Sequence, residues 1–378
     1  MINRIYIDNF RCFVNFEYKP QDIQLILGRN GVGKTSVLDV LKKLQGILVN
    51  GVAVDDQKNG FLADTLTRWD LRPQQTFELE IEGNGGIYHY RLEIEHDRDN
   101  HRCRISNEQL MFDKQCLYSF DGKEAQLYRD DATWKDGPTF SYDWSRSFIA
   151  SIPERKDNTK LTWFRERVGR IYLYAIDPHQ MSSISDKESE SPDRQLHDLV
   201  PWLRHLSQES VGTLPKLLDS LKGVLDGLQN FKLEKSSDTA RTLKFEFAYE
   251  GVDQVNNPKS TYFLTTRQLS EGQRCLVALF SILHASIKPD CSVFIDEPNN
   301  FVALEEIQPW LVELHEKAYD SGCQLGLVSH HPQIANYLAA NHGVVLSRDN
   351  GGPTRNKSFE WDQDTASSPA ELIARGME

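Results

Sequence analysis

The sequence predicts an α/β protein with a mixed or parallel core sheet, an antiparallel β lobe and a helical insertion. Three observations carry that expectation. A strand pattern, a glycine-rich turn and an amphipathic helix follow one another over residues 24–48. Apolar and polar residues alternate through 76–82 and again through 88–94. From 271 to 346, helical and strand patterns take turns, as they do when helices cover a parallel sheet.

Taken in order, residues 4–7 read as a strand and 24–27 as a second one. Val37, Leu38, Leu41, Leu44 and Leu48 then share one helical face. The segments 76–82 and 88–94, with Asn84-Gly85-Gly86 between them, form an antiparallel hairpin. Shorter strands are expected at 116–120 and 125–128, and another strand at 170–176. The Ser-, Glu- and Asp-rich stretch 186–193 reads as a solvated linker. Leu214, Leu217, Leu218, Leu221, Val224, Leu225 and Leu228 predict one helix whose apolar face packs into the core. Strands follow at 242–249 and 261–265. Then come a helix at 271–286, a strand at 292–295, a helix at 306–319, a strand at 324–328, a helix at 333–340 and a strand at 343–346. The segment 349–365 reads as loop or edge strand.

A chain of 378 residues suits one large α/β domain with a sizeable insertion. Its 39% hydrophobic and 26% charged residues are ordinary for a soluble protein. The longest apolar runs, such as 275–287, are too short and interrupted to span a bilayer. The N-terminus opens into a strand pattern with no signal-peptide layout, so a cytoplasmic protein is expected, with no membrane partner. Six cysteines without a CxxC pair point to reduced, mostly buried thiols. A net charge of −12 argues against coating nucleic acid through bulk charge.

Four motifs carry chemistry. Gly28-Arg29-Asn30-Gly31-Val32-Gly33-Lys34-Thr35 matches the phosphate-binding pattern G-x-x-x-x-G-K-[ST]. Its glycines let backbone N–H groups turn inward around oxygens, and the following helix aims its positive end at them. Asn30, Gly31, Val32, Gly33, Lys34, Thr35 and Ser36 are the expected contacts to ATP. Lys34 is expected to reach the β and γ phosphates, and Thr35 to hold Mg²⁺. The strand 292–295 runs into Asp296-Glu297-Pro298. A carboxylate at the end of a parallel strand suits Asp296 as a magnesium ligand, and Glu297 is placed to activate water.

Leu269-Ser270-Glu271-Gly272-Gln273-Arg274 starts a helix with Ser270 as N-cap, and it resembles the signature of ABC ATPases. That resemblance implies that Ser270 and Gly272 face the γ-phosphate held by a second subunit. Leu327-Val328-Ser329-His330-His331-Pro332 resembles the switch of the same ATPases, with His330 as the γ-phosphate sensor. With Ile5-x-Ile7-x-Asn9-Phe10-Arg11-x-Phe13 and the phosphate loop, the chain resembles the RecF, SMC and OLD-like group, a P-loop NTPase fold of ABC type. The resemblance implies a head-to-tail dimer around two ATP molecules and places Arg11 near the nucleotide. It also implies a glutamine at the magnesium, for which Gln180 is the candidate.

On this basis the chain divides into a nucleotide-binding lobe with the β-rich subdomain (1–180), a helical insertion with strands (181–265), and a lobe carrying the signature, Asp296-Glu297 and His330 (266–378), all parts of one composite ATPase domain. The expected function is an ATPase that dimerises on ATP and controls a separately encoded effector, such as a nuclease or toxin, in antiviral defence. A RecF-like ATPase acting on DNA is the alternative. A transporter subunit fits poorly, because the stretch between Lys34 and Ser270 is long and contains its own β lobe. A non-hydrolysing sensor conflicts with intact Lys34, Asp296 and Glu297.

Overall fold

The computed structural model describes residues 1–130, 137–248, 261–362 and 367–376. The chain begins with β1 (Ile2–Asp8), β2 (Phe16–Tyr18) and β3 (Ile23–Leu27), followed by α1 (Lys34–Asn50). Next come β4 (Gln74–Gly83), β5 (Gly86–Asp97), β6 (Arg102–Phe112), β7 (Gln115–Phe120), β8 (Glu124–Leu127) and β9 (Thr139–Ser141). Then follow α2 (Thr159–Gly169), β10 (Ile171–Tyr174), β11 (Ile184–Ser185), α3 (Leu199–Glu209) and α4 (Thr213–Lys222). The insertion ends with β12 (Leu228–Lys235), β13 (Arg241–Ala248) and β14 (Thr261–Thr265). The last part holds α5 (Glu271–Ser286), β15 (Ser292–Asp296), α6 (Leu304–Ser321), β16 (Gln324–Val328), α7 (Pro332–His342), β17 (Gly343–Ser347), β18 (Arg355–Ser358) and α8 (Pro369–Arg375).

These strands form three sheets. The core sheet runs β10-β15-β16-β3-β17-β18, parallel except for the antiparallel edge strand β18. Its central strands, Ile-Gln-Leu-Ile-Leu and Gln-Leu-Gly-Leu-Val, are buried at every position, as strands covered on both faces must be. Ile26, Phe294 and Val328 point into one hydrophobic cluster, shared with α1 and the β lobe. Leu25, Leu27, Ile295 and Leu327 point into the other, shared with α3 to α7 and the insertion. The second sheet is the antiparallel β lobe, ordered β2-β1-β4-β5-β6-β7-β8-β9. Gln324 fastens it to the core sheet, accepting from the Ile2 N–H at 3.0 Å and donating to the Ile2 carbonyl at 2.9 Å. The third sheet pairs β13 with β11, β12 and β14 in the insertion.

Most expected elements are present, and three corrections stand out. Helix α4 stops at Lys222, and Leu228 opens strand β12 instead of extending the predicted helix. Leu217, Leu221, Leu225 and Leu228 are all buried, so their spacing reported burial rather than one continuous helix. Strand β6 was not expected, because Ser106-Asn107-Glu108-Gln109 interrupts its apolar alternation. The structure places Glu108 inward, where Tyr90, Tyr118 and Ser147 hydroxyls satisfy it. Helix α2 was also unpredicted, whereas α3 falls within the expected helical insertion, ahead of the leucine face that marked it. Residue 249 of one expected strand, and 363–365 of the expected C-terminal loop, lie outside the described residues. Within the latter segment, β18 is the edge strand. Among the described residues, no helix is long and apolar enough to cross a membrane.

Candidate active site

Three adjacent core strands, in the order β15-β16-β3, deliver the candidate residues to one edge of the sheet. Their register sets Asp296 beside Val328 and Val328 beside Ile26. The glycine loop, the Asp296-Glu297 pair and the Ser329-His330 turn therefore all emerge at the carboxyl ends of parallel strands, where ligands bind in such sheets.

The loop is shaped by its glycines. Gly33 caps α1 in the left-handed region at φ 107° and supplies no side-chain cap, so the first N–H groups of the helix stay open to a ligand. A Cβ at Gly33 would fall 2.7 Å from Cys12 Sγ and 2.8 Å from Phe13 Cζ. Lys34 is buried, and its ammonium donates to the Gly28 carbonyl at 2.6 Å and the Arg29 carbonyl at 3.1 Å. Val32 packs its side chain inward, and its carbonyl accepts from Thr354 Oγ1 at 2.7 Å.

A cavity of about 650 Å³ opens over this loop. Arg11, Asn30, Gly31, Gly33, Lys34, Thr35, Ser36 and Glu297 line it, together with the unpredicted Asp64, Trp69 and Arg348. Glu297 sits at φ 49°, left-handed backbone rarely adopted by a residue with a side chain. His330 Nδ1 lies 3.1 Å from its Oε1. Its Oε2 is buried with no hydrogen-bond partner. Burial raises the Glu297 carboxyl above the ordinary range, opposed by the charge and hydrogen bond of His330 and by Lys34. Burial also raises Asp296, against a hydrogen bond from Thr35 and the charge of Arg194.

Arg194 was missed by sequence reasoning. Its Nη1 is 2.6 Å from Asp39 Oδ1, and its Nη2 is 3.7 Å from Asp296 Oδ2. Arg11 holds the other oxygen of Asp39 at 2.7 Å and donates to Ser36 at 3.1 Å. Burial alone would raise Asp39, but the hydrogen bonds from Arg194 and Arg11 hold it below the usual carboxylate range. No local pattern marks Arg194. It reaches the site because the chain after the linker passes the carboxyl end of β10, with the Ala175 N–H donating to the Arg194 carbonyl at 2.8 Å.

Gln180 does not line the cavity. It is exposed, and its amide donates to Asp177 at 3.2 Å in a short turn beside α5. Ser270 is exposed at the N-cap of α5, where its hydroxyl accepts from the Gln273 N–H, and it too lies outside the cavity lining. Gly272 lies against the Phe301 carbonyl, 2.7 Å from where a Cβ would stand.

The donor set fits a triphosphate with a divalent cation. It offers an open helix terminus, a lysine turned into the loop, and a threonine hydroxyl paired with a partly buried carboxylate. The fold is a P-loop nucleotide-binding fold of the ABC type. The solved head of Smc bound to the C-winged helix domain of ScpA has this fold, with a TM-score of 0.58 at 11% identity, covering 95% of this chain and 98% of that one. So does the Smc head domain with an extended coiled coil bound to the C-terminal domain of ScpA, derived from Pyrococcus furiosus, with a TM-score of 0.54 at 12% identity over 94% of this chain and 96% of that one. Residues 24–336 match the family described as "AAA domain, putative AbiEii toxin, Type IV TA system", and the chain belongs to that family. It has no match among the curated proteins.

Proposed function

We propose that the chain hydrolyses ATP, that two copies close head to tail around two nucleotides, and that this cycle controls a separately encoded effector in antiviral defence. The observation that carries the hydrolytic reading is the half-satisfied Glu297 carboxylate. His330 holds one oxygen, and the other is buried without a partner, in the cavity that also contains Lys34. In this reading Lys34 turns from the Gly28 and Arg29 carbonyls to the β and γ oxygens of ATP. The loop N–H groups hold the same oxygens. Glu297 Oε2 accepts a proton from the attacking water as its oxygen bonds to the γ-phosphorus. The bond from that phosphorus to the β–γ bridging oxygen breaks, leaving ADP and phosphate. Magnesium, held through Thr35 and Asp296, supplies charge neutralisation at these oxygens.

The exposed Ser270, outside the cavity of its own chain, supports completion of the site by a second copy. The Smc heads above are bound to ScpA, and the matching family description names a toxin, which supports control of another protein. The test is phosphate release by the purified chain and by Lys34→Ala, together with sedimentation of Glu297→Gln with and without ATP. The reading requires release that Lys34→Ala abolishes and a dimer formed only with ATP. A wild-type chain that binds ATP without releasing phosphate would end the hydrolytic part.

A further inference from the structure

Strand β10 is an open edge of the core sheet. Among the described residues it pairs with β15 alone. The Ser292 N–H donates to the Arg170 carbonyl at 3.1 Å, so residues 170, 172 and 174 turn their backbone groups toward β15. Ile171 and Leu173 therefore turn theirs outward. Gln45 of α1 covers the Ile171 carbonyl, its Nε2 donating at 2.7 Å. Further along, the Arg194 carbonyl takes up the Ala175 N–H. Between these two anchors no described residue hydrogen-bonds the Leu173 N–H or carbonyl.

A cavity of about 390 Å³ lies along this gap and shares no lining residue with the one over the glycine loop. Lys42 and Arg194 stand on its wall. The Lys42 ammonium forms no hydrogen bond or ion pair among the described residues. Partial burial and the charge of Arg194 lower it below its ordinary range. Arg194 Nε is buried without a partner. On the other face of β10, the Tyr172 and Tyr174 rings stack with centroids 6.4 Å apart. The chain's own linker does not fill the gap. Pro192 has no N–H to offer, and the Asp193 N–H is turned to Asp198 at 2.8 Å.

We propose that the β10 edge is a docking slot for an extended peptide of another polypeptide, with Asp or Glu between two apolar residues. One residue of an antiparallel strand can exchange both backbone bonds with Leu173. Its side chain falls on the Leu173 face of the sheet, which α1 covers, so a carboxylate there meets the unpaired Lys42 ammonium. Its two neighbours fall on the Tyr172 face, against an aromatic surface. Proline and lysine keep an exposed edge from pairing indiscriminately. Here they turn away basic and wholly apolar strands and leave an acidic one its counter-charge. Docking at this edge requires no nucleotide, and so stands apart from the hydrolytic reading.

The test uses the full chain and two pools of synthetic hexapeptides, one with Glu fixed at the third position and one with Lys fixed there, all other positions being randomised. Hydrogen exchange over residues 171–174 is followed by mass spectrometry. The Glu pool should slow exchange there, and the Lys pool should not. For a peptide selected from the Glu pool, Lys42→Glu should weaken binding roughly 10-fold or more. N-methylation of the peptide's fixed glutamate, which deletes the donor to the Leu173 carbonyl, should weaken it about 5- to 100-fold. Thermal melting checks the fold of Lys42→Glu. Slowing by neither pool, or by both alike, overturns the proposal, as does binding that N-methylation leaves unchanged. Exchange that slows with protein concentration alone would assign the edge to a second copy and overturn it too.

Discussion

His330 and Glu297 meet at 3.1 Å across the turns that follow β16 and β15, and only one oxygen of the carboxylate is engaged. Glu297→Gln preserves shape and a hydrogen-bonding oxygen but removes the proton acceptor. Turnover should fall about 10²–10⁴-fold with ATP affinity kept. Phosphate release beside equilibrium ATP binding checks this. Turnover within a few-fold of wild type would remove Glu297 from the role of base.

The pH dependence of turnover follows from the same pair. In the proposed hydrolysis Glu297 acts deprotonated, and burial raises its carboxyl, so turnover should be lost as pH falls through a value above the ordinary glutamate pKa of about 4.3. His330 opposes that rise. In His330→Ala the acid limb of the pH–rate profile should therefore move further up. A limb that stays in place would show that His330 does not act on this carboxylate.

Asp39 is held between two arginines, and Arg194 extends the chain of charges to Asp296. The Arg194 and Asp39 side chains are only 15% and 20% exposed, so loss of the guanidinium strands charge in a poorly solvated place. Arg194→Ala should lower unfolding free energy by about 1–3 kcal/mol in urea titrations. Arg194→Lys should recover only part, because an ammonium lacks the fork that addresses both carboxylates.

Glu108 provides a stability test far from the nucleotide. It is fully buried, and burial pushes its carboxyl up to about 7 despite three hydroxyl donors. A raised folded-state value means that the native state holds a proton the unfolded chain has already released. Stability therefore falls as pH rises from about 4.5 to about 7, by up to about 3 kcal/mol. Glu108→Gln should flatten melting temperature across that window. A wild-type melting temperature that rises through it would contradict the sign.

How much of this was legible in the sequence varied with the kind of signal. The C-terminal α/β alternation read well because each parallel strand is a short apolar run and each helix has a capping residue or a glycine at an end, as Ser270 and Gly322 show for α5 and α6. The placement of the glycine loop and Asp296-Glu297 at strand ends was legible because each is contiguous in the chain and follows a short apolar run. Strand β6 did not, since its buried Glu108 is a polar residue on an apolar face, intelligible only once Tyr90 and Tyr118 are beside it. The helix predicted through Leu228 failed because burial continued past Lys222 while the backbone changed. Arg194, Trp69 and Arg348 join the site from separate segments by tertiary packing, and such meetings leave no local trace.

The unusual backbone of Glu297 has a consequence for the evolution of the site. Holding a residue with a side chain at φ 49° costs about 1–2 kcal/mol that glycine would not incur. Glu297→Gly should therefore give a sturdier but inert protein, with a higher melting temperature and no phosphate release. Selection for robustness alone would drift toward that replacement; under the proposed function, a glutamate there trades durability for the carboxylate that takes the proton of the attacking water.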